Sequence, residues 1–459
     1  MRRALALFLV VLSGCGGRGV DTEDPTPGPP TVTPRWAKGS GDGSNQVPWS
    51  VAVDSKGGVV VVGEFGGSFD LAGPLTATKG AVNGYVLKLA RDGSKRWAKK
   101  IGDDASAFAV AVGRDDHVHV GGWFRGTLAI DGFTLTSAGE TDAYWLELDE
   151  NGKVLLARSF GDAGSQAITS IGVDAGASRS EDEGVVLAGD FDGAMDFGLG
   201  SVTSHGTLDV FVARFDAARR PVFGKALGGP LLDRRPKVAV GRDGAAFVAA
   251  TYRGPIDVGG GPLPDRFDSA FLTRLSKTGD HVWSKGFGGT GWCYPTTLAV
   301  EDDRVAFAGR FTDTLELGAA VLESESGEDA VLGVFGDDGA LRLSRRYGGF
   351  GQDVISGVAW NQGDLWVAGE VQTTLGPLVS AGSADLFVAR LGPDLSIRAA
   401  QRYGDAELQR GQRIAVDPLG GAVVVGAYFG HLDFGVANLL SSGGFDESGG
   451  DVFVASFTP

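Results

Sequence analysis

Residues 97–155 read WAKKIGDDASAFAVAVGRDDHVHVGGWFRGTLAIDGFTLTSAGETDAYWLELDENGKVL. Three signatures in this stretch recur along the chain. The first is an apolar residue followed five places later by Gly. It starts at Trp36, Trp97, Leu156, Phe223, Trp283, Leu343 and Ala399, with Gly41, Gly102, Gly161, Gly228, Gly288, Gly348 and Gly404 closing it. The starts are 61, 59, 67, 60, 60 and 56 residues apart. A period near 60 held over six steps is a repeat architecture, and it takes precedence over other readings.

The second signature is an apolar run ending in Gly-x-aromatic, as in Gly63-Glu64-Phe65, Gly122-Trp123-Phe124, Gly189-Asp190-Phe191, Gly309-Arg310-Phe311 and Gly426-Ala427-Tyr428. Ala250-Thr251-Tyr252 and Gly369-Glu370-Val371 are degenerate copies. The third is Asp-x-aromatic-apolar, beginning at Asp142, Asp209, Asp385 and Asp451; Asn83, Ser269 and Asp329 start variant copies. Each copy thus holds four short apolar runs separated by Gly, Asp and Asn, the pattern of strands and turns. No long stretch has helical periodicity. The expected fold is all-β: a seven-bladed β-propeller of four-stranded antiparallel blades. A lone sheet with two apolar faces cannot bury both, and stacking in a ring does. The recurrent Gly after the second strand is expected to permit close backbone approach.

A length of 459 residues would ordinarily suggest about three domains at ~150 residues each; the repeat overrides that prior. Glycine, 75 of 459, is about twice its usual ~7% share, and without a collagen period it is turn glycine. A net charge of −16 argues against nucleic acid and against adsorption to anionic lipid. The two cysteines are Cys15 and Cys293.

The first 14 residues are expected to be a signal peptide. Arg2 and Arg3 precede an apolar run over 4–12, too short for the ~20 residues of a membrane span. The run ends in Leu12-Ser13-Gly14-Cys15, which resembles the lipobox of bacterial lipoproteins. That resemblance implies diacylglyceryl modification of Cys15, cleavage before it and several acyl chains, since one alone anchors marginally. Cys293 is then left without a disulfide partner. Residues 15–35 form a lipidated, Pro-rich tether of ~3 Å per residue, and 36–459 the propeller. The last copy stops at its third strand, whereas 35–38 carry the fourth-strand signature, so the N-terminal strand is expected to complete the last blade. An open ring would leave two edges prone to aggregation.

Trp-x-Lys-x-x-Gly, Val-Ala-Val-Asp, Gly-x-Phe and Asp-x-Phe-Val-Ala-Arg-Leu together resemble the bacterial β-propeller repeats often called SBBP repeats, over 36–459. The resemblance implies a secreted or lipid-anchored protein and no particular reaction. Copies 4 and 6 depart most, with Ala250 in place of Gly and a shortened loop after Val371.

A catalytic group need occur only once. Acids in register on nearly every copy, including Asp70, Asp196, Asp257, Glu316 and Asp433, therefore read as turn or edge hydrogen bonders, and Asp92-Gly93, Asn151-Gly152 and Asp338-Gly339 as hairpin turns. His117 and His119 share a strand face; with no third His or Cys nearby, a solvated edge is expected rather than a metal site. A turn followed by Trp resembles the tryptophan-docking repeats of quinone-dependent dehydrogenases, but four copies lack the Trp and no cysteine pair accompanies it, so no cofactor is expected. Residues 175–184, the excess in copy 3, are expected to be an exposed loop.

Irregularity is greatest between each outermost strand and the next innermost one, at the mouth of the central channel. Arg234, Arg235, Lys237, Arg410 and Arg413 cluster there on an acidic chain, with Trp292 and Tyr294 as platforms. They are expected to form a ligand pocket for an anionic or sugar-like molecule. The only obvious acids in the mouth loops are Asp103, Asp104, Asp233 and Asp353, which favours binding over catalysis. The expected protein is a monomeric, lipid-anchored binding or scaffold module of the cell envelope, at the outer membrane. Its expected partners are the membrane, through the lipid, and an envelope protein or glycan. A propeller hydrolase or lyase acting on polysaccharide is the alternative.

Overall fold

Val59–Phe65 shows why the chain stacks in a ring. Val60 and Val62 pack with Val86 against Ala105, Val118 and Val120 of the next sheet, while Val59 and Val61 face Val423, Val425 and Val452 of the last one. Both faces of the strand are buried, so the sequence is a continuous apolar run instead of an alternation. In the computed structural model, which describes residues 30–174, 182–264, 268–443 and 450–459, this arrangement repeats seven times.

Blade 1 runs outward from the axis as Gln46–Val53, Val59–Phe65, Asn83–Leu89 and Lys95–Ile101, antiparallel throughout. The innermost strands of blades 2 to 7 are Ala105–Val112, Gln166–Val173, Arg234–Val240, Cys293–Glu301, Val354–Asn361 and Gln409–Val416. Blade 7 is completed by Pro34–Ser40, paired with Asp451–Phe457 in the register Trp36↔Ser456 and Ala37↔Ala455. The expected closure by the N-terminal strand is what the fold contains. Pro30 and Thr33 already accept backbone hydrogen bonds from Ala400 and Thr458, and Val32 is buried. The signal sequence, Cys15 and the tether up to residue 29 lie outside the described residues.

The repeated acids do structural work. Asp142 accepts the Ala138 N–H at 3.1 Å, Asp329 that of Glu325 at 2.9 Å and Asp451 that of Ser442 at 2.8 Å; Asn83 does the same for Thr78 at 3.0 Å. Asp196 and Asp433 cap turns through the Gly198 and Gly435 N–H groups, each at 2.7 Å. Blades are also latched together. The indole N–H of Trp36, Trp97 and Trp283 donates to the carbonyl of Arg91, Glu150 and Asp337, each in the hairpin turn of the following blade. The turn residues Gly93, Gly152 and Gly339 lie flat against these rings; a Cβ on any of them would fall 2.8–2.9 Å from ring carbons. Short hairpins such as Thr127–Ile130 with Phe133–Thr136 link the second and third strands and tuck Leu128 beneath the rim. Their runs of two to four residues are too short to stand out in the sequence.

Cys293 is buried and unpaired. Among the described residues no helix is long and apolar enough to cross a membrane.

Candidate functional site

Every innermost strand carries a β-bulge at the same place, with Trp49, Phe108, Thr169, Thr296, Ser356 and Gln412 as the extra residues in six blades. The bulge explains the glycine of Gly-x-aromatic. A Cβ at Gly63, Gly122, Gly189, Gly369 or Gly426 would lie 1.8–2.0 Å from an inner-strand carbonyl oxygen, and one at Gly309 2.9 Å from it, all inside van der Waals contact. Blade 4 has Ala250 there. Its inner strand slips between Arg234 and Lys237, and Arg235 takes φ 60°, a left-handed conformation costly for a side-chain-bearing residue. The turned backbone makes room for the Ala250 Cβ and swings Arg235 over the Tyr294 ring, 5.5 Å from its centroid.

The residue between that glycine and the aromatic varies from blade to blade, with only Glu used twice: Glu64, Trp123, Asp190, Thr251, Arg310, Glu370 and Ala427. In register it lies beside the start of the inner strand, so these residues belong to the mouth. Arg310 bonds Glu328 at 2.7 Å and lies 5.6 and 5.7 Å from the Trp292 and Tyr294 centroids. Those two rings stack on each other at 4.5 Å and 24°. The Tyr294 hydroxyl donates to Asp268 at 2.9 Å, a carboxylate that also holds Arg253. Asp190 accepts the Arg235 backbone N–H at 2.8 Å, yet burial pushes its carboxyl up to about 6 against the pull of Lys237 and the arginines. Burial also raises Glu370, which accepts from Arg410 at 3.1 Å.

The expected pocket residues therefore separate into three groups. Arg235, Trp292 and Tyr294 meet at one point, with Arg234 beside Tyr294. Arg410 is joined to Glu370. Lys237 and Arg413 lie deeper, in an axial cavity of about 150 Å³ bordered by all seven inner strands. Burial, then the Arg413 charge, depresses Lys237 to about 7, while burial brings Arg413 down to about 10. Arg310, Asp190, Glu370 and Asp268 escaped the sequence reading. The first three were signalled by variation at one position inside a fixed motif.

Several expectations need correction. The mouth is not short of carboxylates, because Asp190 and Glu370 come from the second strands. Asp233 and Asp353 are anchors instead: Asp233 accepts from Gly229 N–H at 2.7 Å, and Asp353 from Gly349 and Gln372 at 3.0 Å each. His119 is not a solvated edge; it is 1% exposed beside Trp145, and burial lowers it to about 4. His117 contacts Glu147 at 2.9 Å, and Arg219 clamps the same carboxylate at 2.7 and 2.8 Å. In the copy 3 excess, residues 175–181 lie outside the described residues, but Glu183 is buried and accepts the Arg114 N–H at 2.9 Å. Among the described residues no three His, Cys, Asp or Glu converge as metal ligands.

A larger groove, about 1050 Å³, lies on the opposite face between Trp36 and Trp97. Three of its cations are already paired: Lys88 with Asp54 at 2.7 Å, Lys56 with Glu150 at 2.5 Å and Arg35 with Asp417. The mouth, with its unequal blades, is the better candidate on chemistry despite its smaller volume.

No family profile and no curated protein matches the chain. Solved structures do resemble it. Sqt1 from Chaetomium thermophilum is 13% identical, with 92% of this chain and 86% of that one covered at a TM-score of 0.43. Sqt1 from Saccharomyces cerevisiae is 8% identical, covering 94% and 100% at 0.45. The β-propeller domain of the Trilobed protease from Pyrococcus furiosus, described as having an open velcro topology, is 9% identical, covering 85% and 90% at 0.44. At such identities and scores no activity transfers; the fold rests on the seven sheets and their closure described above.

Proposed function

We propose that the chain is an SBBP-type bacterial lipoprotein, a binding or scaffold module of the cell envelope and not an enzyme. The lipobox at Cys15 and the Pro-rich tether support anchoring, with the outer membrane as the site because no Asp follows the cysteine. The membrane is engaged through the lipid, and an envelope glycan or protein at the mouth, by a single propeller acting as a monomer.

The observation that carries this reading is the stacked Trp292–Tyr294 pair with the Arg235 and Arg310 guanidinium groups over it. The rings face each other and have guanidinium carbons within 5.7 Å of their centroids, so N–H forks are the main recognition elements. That favours an anionic group over a neutral sugar. The test is an array of acidic and neutral glycans and small anions, probed with the wild type and an Arg235→Ala/Arg310→Ala variant. Selective loss of acidic ligands supports the reading, and identical binding removes it. Mass spectrometry of the membrane-extracted protein tests the anchor: an unmodified Cys15 on a soluble product would end that part.

A second reading, a hydrolase or lyase of envelope polysaccharide, draws on Asp190. A carboxyl near 6 suits a general acid. Turnover of envelope glycans that disappears in Asp190→Asn would favour it over binding alone.

A further inference from the structure

The axial cavity differs from the other buried ionic sites among the described residues. Elsewhere buried cations have carboxylates: Arg214 has Asp174 at 2.5 Å, and Lys88 has Asp54. Lys237 and Arg413 share one cavity, and among the described residues no carboxylate forms an ion pair with either. Asp190 is the nearest acid acting on Lys237, one layer up, and it does not line the cavity. Arg413 uses one nitrogen on the Ser356 and Gln412 carbonyls, at 3.0 and 2.7 Å, and this holds the guanidinium in place.

The neutral lining is rich in donors. Ser50, Thr169 and Thr297 bring hydroxyls, and the Thr169 hydroxyl is buried without a partner, as is the Trp49 indole N–H on the adjoining bulge. The Gln412 side-chain oxygen is the one orphaned acceptor among these groups. Two cations in a confined space repel each other and are poorly hydrated. Either the lysine gives up its proton or an anion enters. A volume of about 150 Å³ is that of about five waters at ~30 Å³ each, enough for a tetrahedral oxyanion with part of its hydration shell.

We infer that the axial cavity is an anion site, in which Lys237 and Arg413 together bind a small oxyanion of the sulfate or phosphate type, with Thr169 and its neighbouring hydroxyls completing the shell. The site goes beyond the mouth reading and stands without it, because none of Arg234, Arg235, Arg310 or Arg410 lines the cavity. Binding restores the lysine's proton, so it is stronger on the acid side of about pH 7.

The probe is sulfate, which keeps its charge across this range. Thermal unfolding is followed against sodium sulfate, with sodium chloride at matched ionic strength as the reference. The midpoint should rise saturably with sulfate only, and Lys237→Met should weaken the apparent affinity at least ~10-fold, one charge-assisted hydrogen bond's worth. Lys237→Arg should keep it, and Arg234→Ala/Arg410→Ala should leave it within about twofold. Should Lys237→Met not fold, crystals of the wild type soaked in selenate decide: an anomalous peak between Lys237 and Arg413 upholds the site. Equal shifts with chloride, equal sulfate response in folded Lys237→Met, or no peak at that position would overturn it.

Discussion

Blades 2 and 4 share one plan and differ at their inner edges. In blade 2 the bulge at Phe108 closes over Gly122, and the neighbouring Asp103 and Asp104 pair with Lys100 and Arg125. In blade 4, Ala250 forces a different bulge, Arg235 enters the left-handed region and a guanidinium reaches the aromatic pair of blade 5. The repeat thus carries the fold, and departures from it carry the chemistry of the mouth.

The harshest way to break this comparison is to remove the frame both blades depend on. Deleting residues 35–41 strips blade 7 of its outer strand and should give aggregates or a melting temperature lowered by tens of degrees; an unchanged melting curve would contradict the closure. Next is the glycine itself. Gly122→Ala puts a Cβ 1.8 Å from the Ser106 carbonyl and should cost more than ~4 kcal/mol in urea unfolding. Ala250→Gly, where the bulge already differs, should change stability by no more than ~1 kcal/mol. Trp97→Ala removes a half-buried ring and its bond to the Glu150 carbonyl at 3.0 Å, and should cost about 2 kcal/mol.

The smallest effect sharpens the contrast at the mouth. Asp190 titrates near 6 when folded, above the ~3.9 of an unfolded chain. The folded state holds the extra proton between those values, so the associated stability is present below about pH 4 and is lost as pH rises through about 6. Relative to Asp190→Asn, the wild type should lose on the order of 1 kcal/mol between about pH 4.5 and 6.5, discounted for the partial exposure of the carboxyl. Parallel pH profiles for the two proteins would contradict the assigned burial.

The blade count, the closure and the structural role of the repeated acids were legible because each is written several times over. Packing on both sheet faces demands continuous apolar runs, and every turn demands its own Asp or Gly. The mouth was only half legible. Trp292 could be placed by its loop, and Arg235 and Tyr294 by the irregular stretch that the fold makes the start of their inner strands, but Asp190, Arg310 and Glu370 sit in the second strands, where a motif search reads the fixed letters and passes over the variable one. His119 was misjudged because alternation fixes which face a side chain takes, and the identity of the neighbour on that face, here Trp145, comes only from the fold.

The most direct test of the division of labour between repeated and unique residues is a paired measurement on Asp329→Ala and Arg310→Ala, recording melting temperature and binding to the acidic ligands found on the array. Asp329→Ala should melt several degrees lower and, where folded, bind like the wild type. Arg310→Ala should melt within a few degrees of the wild type and lose binding. The reverse pattern, binding lost with the repeated aspartate and kept without the arginine, would contradict the account.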